Sequence, residues 1–216
     1  MQLETEQCVS QHNHDASLLQ KQGLLFVLSA PSGTGKDSVI QALKEQGTDF
    51  NVVASVTTRA PRPGESEGNP YHFVSEEKFK QLVDEDELLE YAKVHGNWYG
   101  QPRQVIREHL KAGRDVLLKI DVQGAATVRR KVPEAIFIFL VPGSLEELEE
   151  RLAQRDTETQ EERVRRLADA RKEMEQRYWY DYLVVNRQDH MQEAVEQLRA
   201  IMLAEHCRTQ IRQIDV

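Results

Sequence analysis

The residues of this sequence best suited to chemistry begin with a glycine-rich segment that contains a lysine. In order, they are Ala30, Pro31, Ser32, Gly33, Thr34, Gly35, Lys36, Asp37 and Ser38. Small residues allow backbone N–H groups to point at a phosphate, and the N-terminus of a following helix adds positive potential. Lys36 supplies a mobile positive charge for the β- and γ-phosphates of a nucleotide. The pattern therefore predicts a phosphate-binding loop, and we expect all nine residues to bind ATP.

Two positions of this segment depart from the usual pattern G-x-x-x-x-G-K-[ST]. Ala30 replaces the first glycine, which is a mild change, and Asp37 replaces the serine or threonine whose hydroxyl normally contacts Mg²⁺. A carboxylate is a good ligand for Mg²⁺, but its charge repels the nucleotide phosphates unless the metal lies between them. We therefore hypothesise that Asp37 binds Mg²⁺, either directly or through water.

A second cluster further along the chain combines arginines, tyrosines and an acid. Arg59 and Arg62 flank a proline that stiffens the turn, and paired arginines suit a dianionic phosphate because each can donate two hydrogen bonds. Tyr71 and Tyr99 add hydroxyls that can also donate to a phosphate. Glu90 lies amid apolar neighbours, where its carboxylate can accept from two adjacent N–H groups. The Watson–Crick edge of guanine offers such a pair, and that of adenine does not.

Alternating strands and helices must position these side chains. The sequence predicts buried strands at 24–28, 116–120, 135–141 and 182–185, because each is an almost continuous apolar run. Helices are predicted after the loop, from Pro102, from Ser144 and from Met191. Their expected inward-facing residues are Val39, Ile40, Leu43, Val105, Ile106, Leu110, Leu145, Leu148, Leu152, Met191, Ala194, Val195, Leu198, Ile201 and Met202. Repeated strand–helix units indicate an α/β fold in which helices cover both faces of a parallel sheet.

The segment 55–99 interrupts this alternation with Pro, Gly, Thr and Tyr residues and one acidic helix. We interpret it as a small lobe inserted into a core of residues 23–54 and 100–207. Residues 1–22 are interpreted as a polar, disordered leader, in which His12 and His14 are solvated rather than metal-bound. Residues 208–216 are expected to be a C-terminal tail.

Composition limits the partners of the chain. Its 216 residues, 39% of them hydrophobic, can form one core with an inserted lobe. A net charge of −8 argues against a nucleic-acid polymer as partner. No apolar run approaches the roughly 20 residues needed to cross a bilayer, so we expect no membrane partner. Two cysteines, Cys8 and Cys207, cannot form a disulfide framework, and the cytoplasm is the expected compartment.

The second cluster, placed after a phosphate loop, resembles that of guanylate kinases, the ATP-dependent GMP kinases of purine metabolism. The resemblance extends from about Leu24 to Leu203, and its most specific motif is Thr-Thr-Arg-x-Pro-Arg-x-Gly-Glu from Thr57 to Glu65. It implies a P-loop NTPase fold with a GMP-binding lobe at 55–99 and a helical lid at about 151–171. It also implies the reaction of ATP with GMP to give ADP and GDP, with Mg²⁺ as cofactor and dGMP as a further acceptor.

The same resemblance implies roles for individual residues. The residues implied to bind GMP are Ser55, Arg59, Arg62, Tyr71, Glu90, Tyr99, Gln101 and Asp121. The two arginines and two tyrosines of this set would hold the phosphate, and Ser55, Glu90 and Asp121 would read or orient the guanine. Gln101 stands near the base, where the family often has a small hydroxyl residue. Those implied to act on the transferred group are Lys36, Arg155 and Arg166, while Asn186 would lie near adenine and Asp121 would also contact Mg²⁺ through water.

The strand at 116–120 carries another departure from the family pattern. The family commonly shows Asp-Ile-Asp there, whereas this chain has Lys119-Ile120-Asp121. We hypothesise that the acid gained at Asp37 compensates in charge for the acid lost at position 119. The arginines Arg151, Arg163 and Arg165 are interpreted as solvated helix residues in ion pairs of little energetic value.

No residue is assigned as a general base, because the phosphate of GMP has a second pKa near 6 and is largely a dianion at neutral pH. Two alternative functions stay open. The Gly-Lys-Asp-Ser run at 35–38 is similar to that of ribose 1,5-bisphosphate phosphokinase, whose acceptor lacks a base. Guanylate-kinase-like domains of membrane-associated scaffold proteins bind peptides without catalysis. Glu90 and the two tyrosines favour GMP over the first alternative, and Lys36 favours an enzyme over the second.

Overall fold

A computed structural model describes residues 23–94, 96–153, 160–210 and 212–216 of the chain. The elements of the first half are β1 (Leu25–Ser29), α1 (Lys36–Glu45), β2 (Asn51–Val52), β3 (Ser55–Thr57), β4 (Ser66–Glu67), β5 (Pro70–Phe73), α2 (Glu76–Asp84), β6 (Leu88–Val94) and β7 (Asn97–Pro102). Those of the second half are α3 (Arg103–Lys111), β8 (Val116–Lys119), α4 (Val122–Lys131), β9 (Ile136–Pro142), α5 (Leu145–Ala153), α6 (Gln160–Glu175), a 3-10 helix (Gln176–Trp179), β10 (Tyr182–Asn186) and α7 (Met191–His206).

The central sheet has the strand order β10-β9-β1-β8-β2, and every neighbouring pair in it is parallel. The four long strands coincide with the predicted apolar runs to within two residues. β1 lies in the middle, and Leu28 near its end is opposite Lys119 at the end of β8. Because the strands are parallel, their carboxyl ends meet at one edge of the sheet. The predicted α/β fold, with helices on a parallel sheet, is confirmed.

Each face of the central sheet has its own apolar core, because side chains alternate along every strand. On β1, Phe26 and Leu28 face the core shared with α1 and α7, whereas Leu25 and Val27 face the core shared with α3 and α4. All four side chains are fully buried. Val216, near the chain's end, joins the second core. Burial of each large apolar side chain contributes about 1.5–3 kcal/mol, so β1 is held firmly beneath the loop that follows it.

A second sheet, with the order β4-β5-β3-β7-β6, stands beside the first. α2 covers it with Phe79, which packs on Val56 and Leu88. Gly100 of β7 is required for this packing, since a Cβ there would lie 2.7 Å from Cδ1 of Leu88 and 3.2 Å from Phe79. The second sheet therefore has a small core of its own, separate from the two cores of the central sheet.

Some local expectations were wrong. α4 was not predicted, because its buried face is formed by small residues and one valine, Val128, which is a weak periodic signal. Its N-terminus is capped by Asp121, whose carboxylate accepts from the N–H of Gly124 at 2.8 Å. Val105 and Met191, expected to face inward, are 38% and 37% exposed. Within the described residues, no helix has the length and hydrophobicity needed to span a membrane.

Candidate active site

The carboxyl edge of the central sheet opens into a cleft of about 670 Å³. The second sheet forms the opposite wall, and α6 closes one side. The predicted site residues that line the cleft are Ala30, Pro31, Ser32, Gly33, Thr34, Gly35, Lys36, Asp37, Ser38, Ser55, Tyr71, Glu90, Tyr99, Gln101, Asp121 and Arg166. Among the described residues, Arg59, Arg62 and Asn186 are outside this lining. Arg155 lies outside the described part of the chain.

The predicted phosphate loop joins β1 directly to α1. Gly33 and Gly35 have φ angles of 91° and 88°, a left-handed conformation that favours glycine. The N–H of Thr34 donates to the carbonyl of Pro31 at 3.2 Å and closes the turn. The first N–H groups of a helix have no partners within it, so α1 presents free donors where this loop ends. The loop therefore has the backbone shape that phosphate binding needs.

Lys36 lines the cleft, and a hydrogen bond fixes its side chain. Its ammonium donates to the carbonyl of Ile120 at 2.9 Å, which joins the loop to the end of β8. Burial and the nearby Lys119 lower the pKa of Lys36 to about 8, while Asp37 and Asp121 act in the opposite direction. Lys36 therefore keeps its proton through most of the neutral range. Bound phosphates would favour the charged form further.

Arg166 and Arg151 both contact the phosphate loop. Arg166 reaches it from α6 and donates to the hydroxyl of Ser32 at 2.5 Å. Arg151, from α5, donates to the carbonyls of Thr34 at 3.0 Å and Asn186 at 2.9 Å, and its side chain is only 16% exposed. The interpretation of Arg151 as a solvated residue was wrong, because the carbonyls of Thr34 in the loop and of Asn186 at the end of β10 need donors and accept from it.

Asn186 lies behind the loop instead of in the cleft. Its side-chain amide is buried and donates to the carbonyl of Thr34 at 2.7 Å. A Cβ on Gly35 would lie 2.9 Å from the same amide nitrogen. The geometry makes Asn186 a support of the loop, and its expected proximity to adenine stays a prediction.

Only some of the residues predicted to hold the phosphate of GMP lie in the lining of the cleft. Arg59 donates to both carboxylate oxygens of Glu65, at 2.8 and 2.9 Å, and its guanidinium lies 5.3 Å from the centre of the Tyr71 ring. The Tyr71 and Tyr99 rings meet edge to face at 5.7 Å. Arg62 is exposed, and its backbone N–H donates to the same Glu65 carboxylate at 2.8 Å. Glu65 thus fixes the turn that carries both arginines, a role that its place in the motif did not reveal.

A buried polar pocket lies at the far end of the cleft. Glu90 on β6 pairs with Gln101 on β7, and their exposed fractions are 3% and 1%. The amide nitrogen of Gln101 donates to the hydroxyl of Ser55 at 2.7 Å, while its amide oxygen is buried without a hydrogen-bond partner. Buried acceptors are normally satisfied, so this oxygen is available to accept from a ligand with N–H donors.

The charge of Glu90 is set by its surroundings. Burial raises the pKa of this carboxyl to about 8, with a further contribution from Asp121 and an opposing one from Lys131. Gly124 lets the two carboxyl groups approach each other, since a Cβ there would lie 2.6 Å from Oε2 of Glu90 and 3.3 Å from Oδ1 of Asp121. A ligand that donates two hydrogen bonds would favour the ionised form of Glu90.

Among the cleft residues that were not predicted as part of the site, two have charged contacts near the phosphate loop. Lys119 forms an ion pair with Asp37, with 2.6 Å between Nζ and Oδ1, so two of the departures from the family pattern meet in space. Glu173 on α6 also lines the cleft, and burial raises its pKa, although a hydrogen bond from the N–H of Ser32 acts against this shift. Neither position has a sequence motif of its own. Position 119 alone carried an indication in the sequence, since a lysine stands there in place of the acid that the family commonly has.

The residues present suit a Mg²⁺ ion that is held mainly by nucleotide phosphates. Among the described residues, there is no group of three or more His, Cys, Asp or Glu side chains that could bind a metal alone. Mg²⁺ commonly uses one or two carboxylates together with substrate phosphates and water. Asp37 and Asp121 offer two carboxylates within the cleft, next to the predicted phosphate loop.

Comparison with known proteins agrees with this geometry. The family model described as guanylate kinase matches residues 22–205. The chain is 46% identical to the guanylate kinase of Caldanaerobacter subterraneus subsp. tengcongensis, over 88% of this chain and 91% of that protein. It is also 46% identical to that of Halalkalibacterium halodurans, over 88% and 92% of the two chains. The crystal structure of guanylate kinase from Anaplasma phagocytophilum, 35% identical, superimposes with a TM-score of 0.73 and covers 89% of this chain and 90% of that one. The chain therefore belongs to the guanylate kinase family.

Proposed function

We propose that this chain transfers the γ-phosphoryl group of ATP to GMP, giving ADP and GDP. The observation that carries the proposal is the pocket of Glu90 and Gln101, which shares one cleft with Lys36 and its loop. A phosphate loop alone would suit many nucleotide-binding proteins. A buried carboxyl beside an unpaired amide oxygen suits the adjacent N–H donors of guanine. We propose these two small molecules, and dGMP as a further acceptor, as the partners of a cytoplasmic enzyme, with no polymer or membrane involved.

At the donor end, the loop at 30–38 would hold the ATP phosphates and Lys36 would neutralise the transferred group. Arg166 already contacts Ser32 at 2.5 Å, so a small movement would bring its guanidinium onto a phosphate. Arginines in this position stabilise the charge of the transition state and are worth about 10³- to 10⁵-fold in rate. We propose Arg155 for the same role and Asn186 as a neighbour of adenine.

Mg²⁺ would be held by Asp37, directly or through water, and by Asp121 through water. When bound, the ion neutralises negative charge that the two substrates bring together. The test compares Asp37→Ser and Asp37→Ala with the wild type. For each, the affinity for ADP is measured by calorimetry while Mg²⁺ is titrated. A changed Mg²⁺ dependence is expected in both variants, and an unchanged dependence in both contradicts the assignment.

At the acceptor end, Arg59, Arg62, Tyr71 and Tyr99 would hold the phosphate of GMP. The ion pair of Arg59 with Glu65 shows that its guanidinium is already fixed in place against the Tyr71 ring. The phosphate dianion attacks directly, so catalysis consists of aligning two anions and offsetting their repulsion. Ser55, Glu90, Gln101 and Asp121 would read and orient the guanine.

A panel of acceptors tests the proposal. ADP release from ATP and Mg²⁺ is measured with GMP, dGMP, AMP, CMP, UMP and ribose 1,5-bisphosphate, for the wild type and for Lys36→Met. We expect GMP to be preferred by at least about 100-fold over AMP, because a buried acceptor left unpaired costs 1–3 kcal/mol for each lost hydrogen bond. Lys36→Met should abolish turnover while GMP still binds. A preference for AMP or for ribose 1,5-bisphosphate, or no turnover with any acceptor, would overturn the proposal.

A further inference from the structure

An ion pair between Lys119 and Asp37 lies in the lining of the cleft, and the roles proposed above do not explain the lysine. Nζ of Lys119 lies 2.6 Å from Oδ1 of Asp37, yet the two side chains differ greatly in exposure, at 21% and 81%. A carboxylate that remains largely hydrated gives up such a partner at small cost, since water screens its attraction to the lysine. The pair can therefore open when a stronger anion arrives.

The position of Lys119 is set by the central sheet. Lys119 is the last residue of β8 and pairs with Leu28, the second-to-last residue of β1. Its side chain therefore emerges beside the phosphate loop. In the other direction, its ammonium lies 5.7 Å from the centre of the Tyr71 ring. The guanidinium of Arg59 lies 5.3 Å from the same ring. Lys119 thus stands between the donor loop and the group proposed to hold the acceptor phosphate.

The charges near Tyr71 explain why a further cation would help to bind the phosphate of GMP. Arg59, which faces the same tyrosine, is already neutralised by two hydrogen bonds to Glu65. A GMP phosphate that carries about two negative charges would therefore meet less free positive charge than an arginine pair suggests. Lys119 has a flexible stem and three N–H donors, so rotation of its side chain can exchange a carboxylate partner for a phosphate.

We propose that Lys119 binds the phosphate of GMP, and that Asp37 holds its ammonium until the phosphate displaces it. This inference rests on the proposed function and adds one acceptor-binding residue to it. Lys119 would donate a charge-assisted hydrogen bond to the phosphate of GMP, and its positive charge would lie between the two reacting phosphates. Asp37 would compete with the substrate for that hydrogen bond.

Binding measurements without ATP and Mg²⁺, in the presence of EDTA, test this assignment. GMP and guanosine are titrated by calorimetry into the wild type, Lys119→Met, Asp37→Asn and the double variant. Lys119→Met should weaken GMP binding about tenfold and leave guanosine binding unchanged, because guanosine has no phosphate. Asp37→Asn should tighten GMP binding severalfold, since the competing carboxylate is gone. The gain from Asp37→Asn should shrink in the Lys119→Met background.

A matched control is Lys172→Met, which removes another positive charge from the cleft lining. It should change GMP affinity less than twofold, so a larger loss would mean that only the overall charge of the cleft matters and would overturn the assignment. Equal GMP affinity in Lys119→Met and wild type, or an equal loss for guanosine, would also overturn it. The same holds if Asp37→Asn weakens GMP binding as much as Lys119→Met, because the pair would then be purely structural. A wild-type chain that binds no GMP would instead overturn the proposed function together with this inference.

Discussion

The pKa of Glu90 predicts how GMP affinity depends on pH. Burial raises this pKa to about 8, so most of the carboxyl carries a proton at pH 7. Guanine N–H donors need the ionised form, and the affinity is therefore reduced by the fraction of chains in which Glu90 is ionised. That fraction rises from about 3% at pH 6.5 to about 75% at pH 8.5, so the dissociation constant for GMP should fall about 25-fold over this range. Ionisation of the GMP phosphate, with a pKa near 6, contributes less than about twofold.

The assay is calorimetric titration of GMP at several pH values, without ATP. At pH 7, binding should release about 0.9 proton, which is measured by comparing buffers with different ionisation enthalpies. Glu90→Gln retains Lys36 and every other titrating group of the site, so it is the matched control and should bind GMP with little dependence on pH. A wild-type affinity that stays within twofold between pH 6.5 and 8.5 would refute the reasoning.

Three further predictions follow from the same geometry. Gly124→Ala places a Cβ 2.6 Å from Glu90. In steady-state kinetics it should raise the KM for GMP at least about tenfold while the KM for ATP stays within twofold. An unchanged KM for GMP would contradict this prediction. Arg151→Met removes donors from two buried carbonyls and should lower the unfolding free energy by about 1–3 kcal/mol in denaturant titrations. The control is Arg165→Met at an exposed position, which should change the unfolding free energy by less than about 0.5 kcal/mol. Equal effects of the two substitutions would contradict the loop-supporting role of Arg151. Because the folded-state pKa of Glu90 lies above its usual 4.5, the folded chain binds more protons than the unfolded chain between pH 4.5 and 8, and stability falls as pH rises through that window. Thermal unfolding should therefore show Glu90→Gln gaining Tm relative to wild type as pH is raised from 5 to 8, and a constant difference would argue against the raised pKa.

Much of the site could be predicted from the sequence because its signals are local. The phosphate loop depends on glycines and a lysine within nine residues, and φ angles near 90° at Gly33 and Gly35 show why those residues are needed. Glu90 stood out as an acid within an apolar strand, and the structure places it in a buried pocket. Strand positions in the core followed from apolar runs that only a helix-covered sheet can bury.

Contacts between distant segments could not be predicted in the same way. Arg151 belongs to a charged helix, where solvation is the usual fate of an arginine, and only the packing of α5 against the loop directs it to the carbonyl of Thr34. Asn186 is likewise drawn beneath the loop by the same carbonyl. The helix α4 escaped prediction because its buried residues are small and give little periodic signal.

The residue types and their spacing along the chain were sufficient for the fold class, the phosphate loop and a group of side chains suited to GMP. The tertiary structure alone decided which charges are neighbours. The parallel pairing of β1 with β8 brings Lys119 against Asp37, and the approach of α4 to β6 at Gly124 brings Asp121 near Glu90. Coulomb interactions and burial depend on distance in space, so the pKa of Glu90 and the partner of Lys119 exist only in the folded chain.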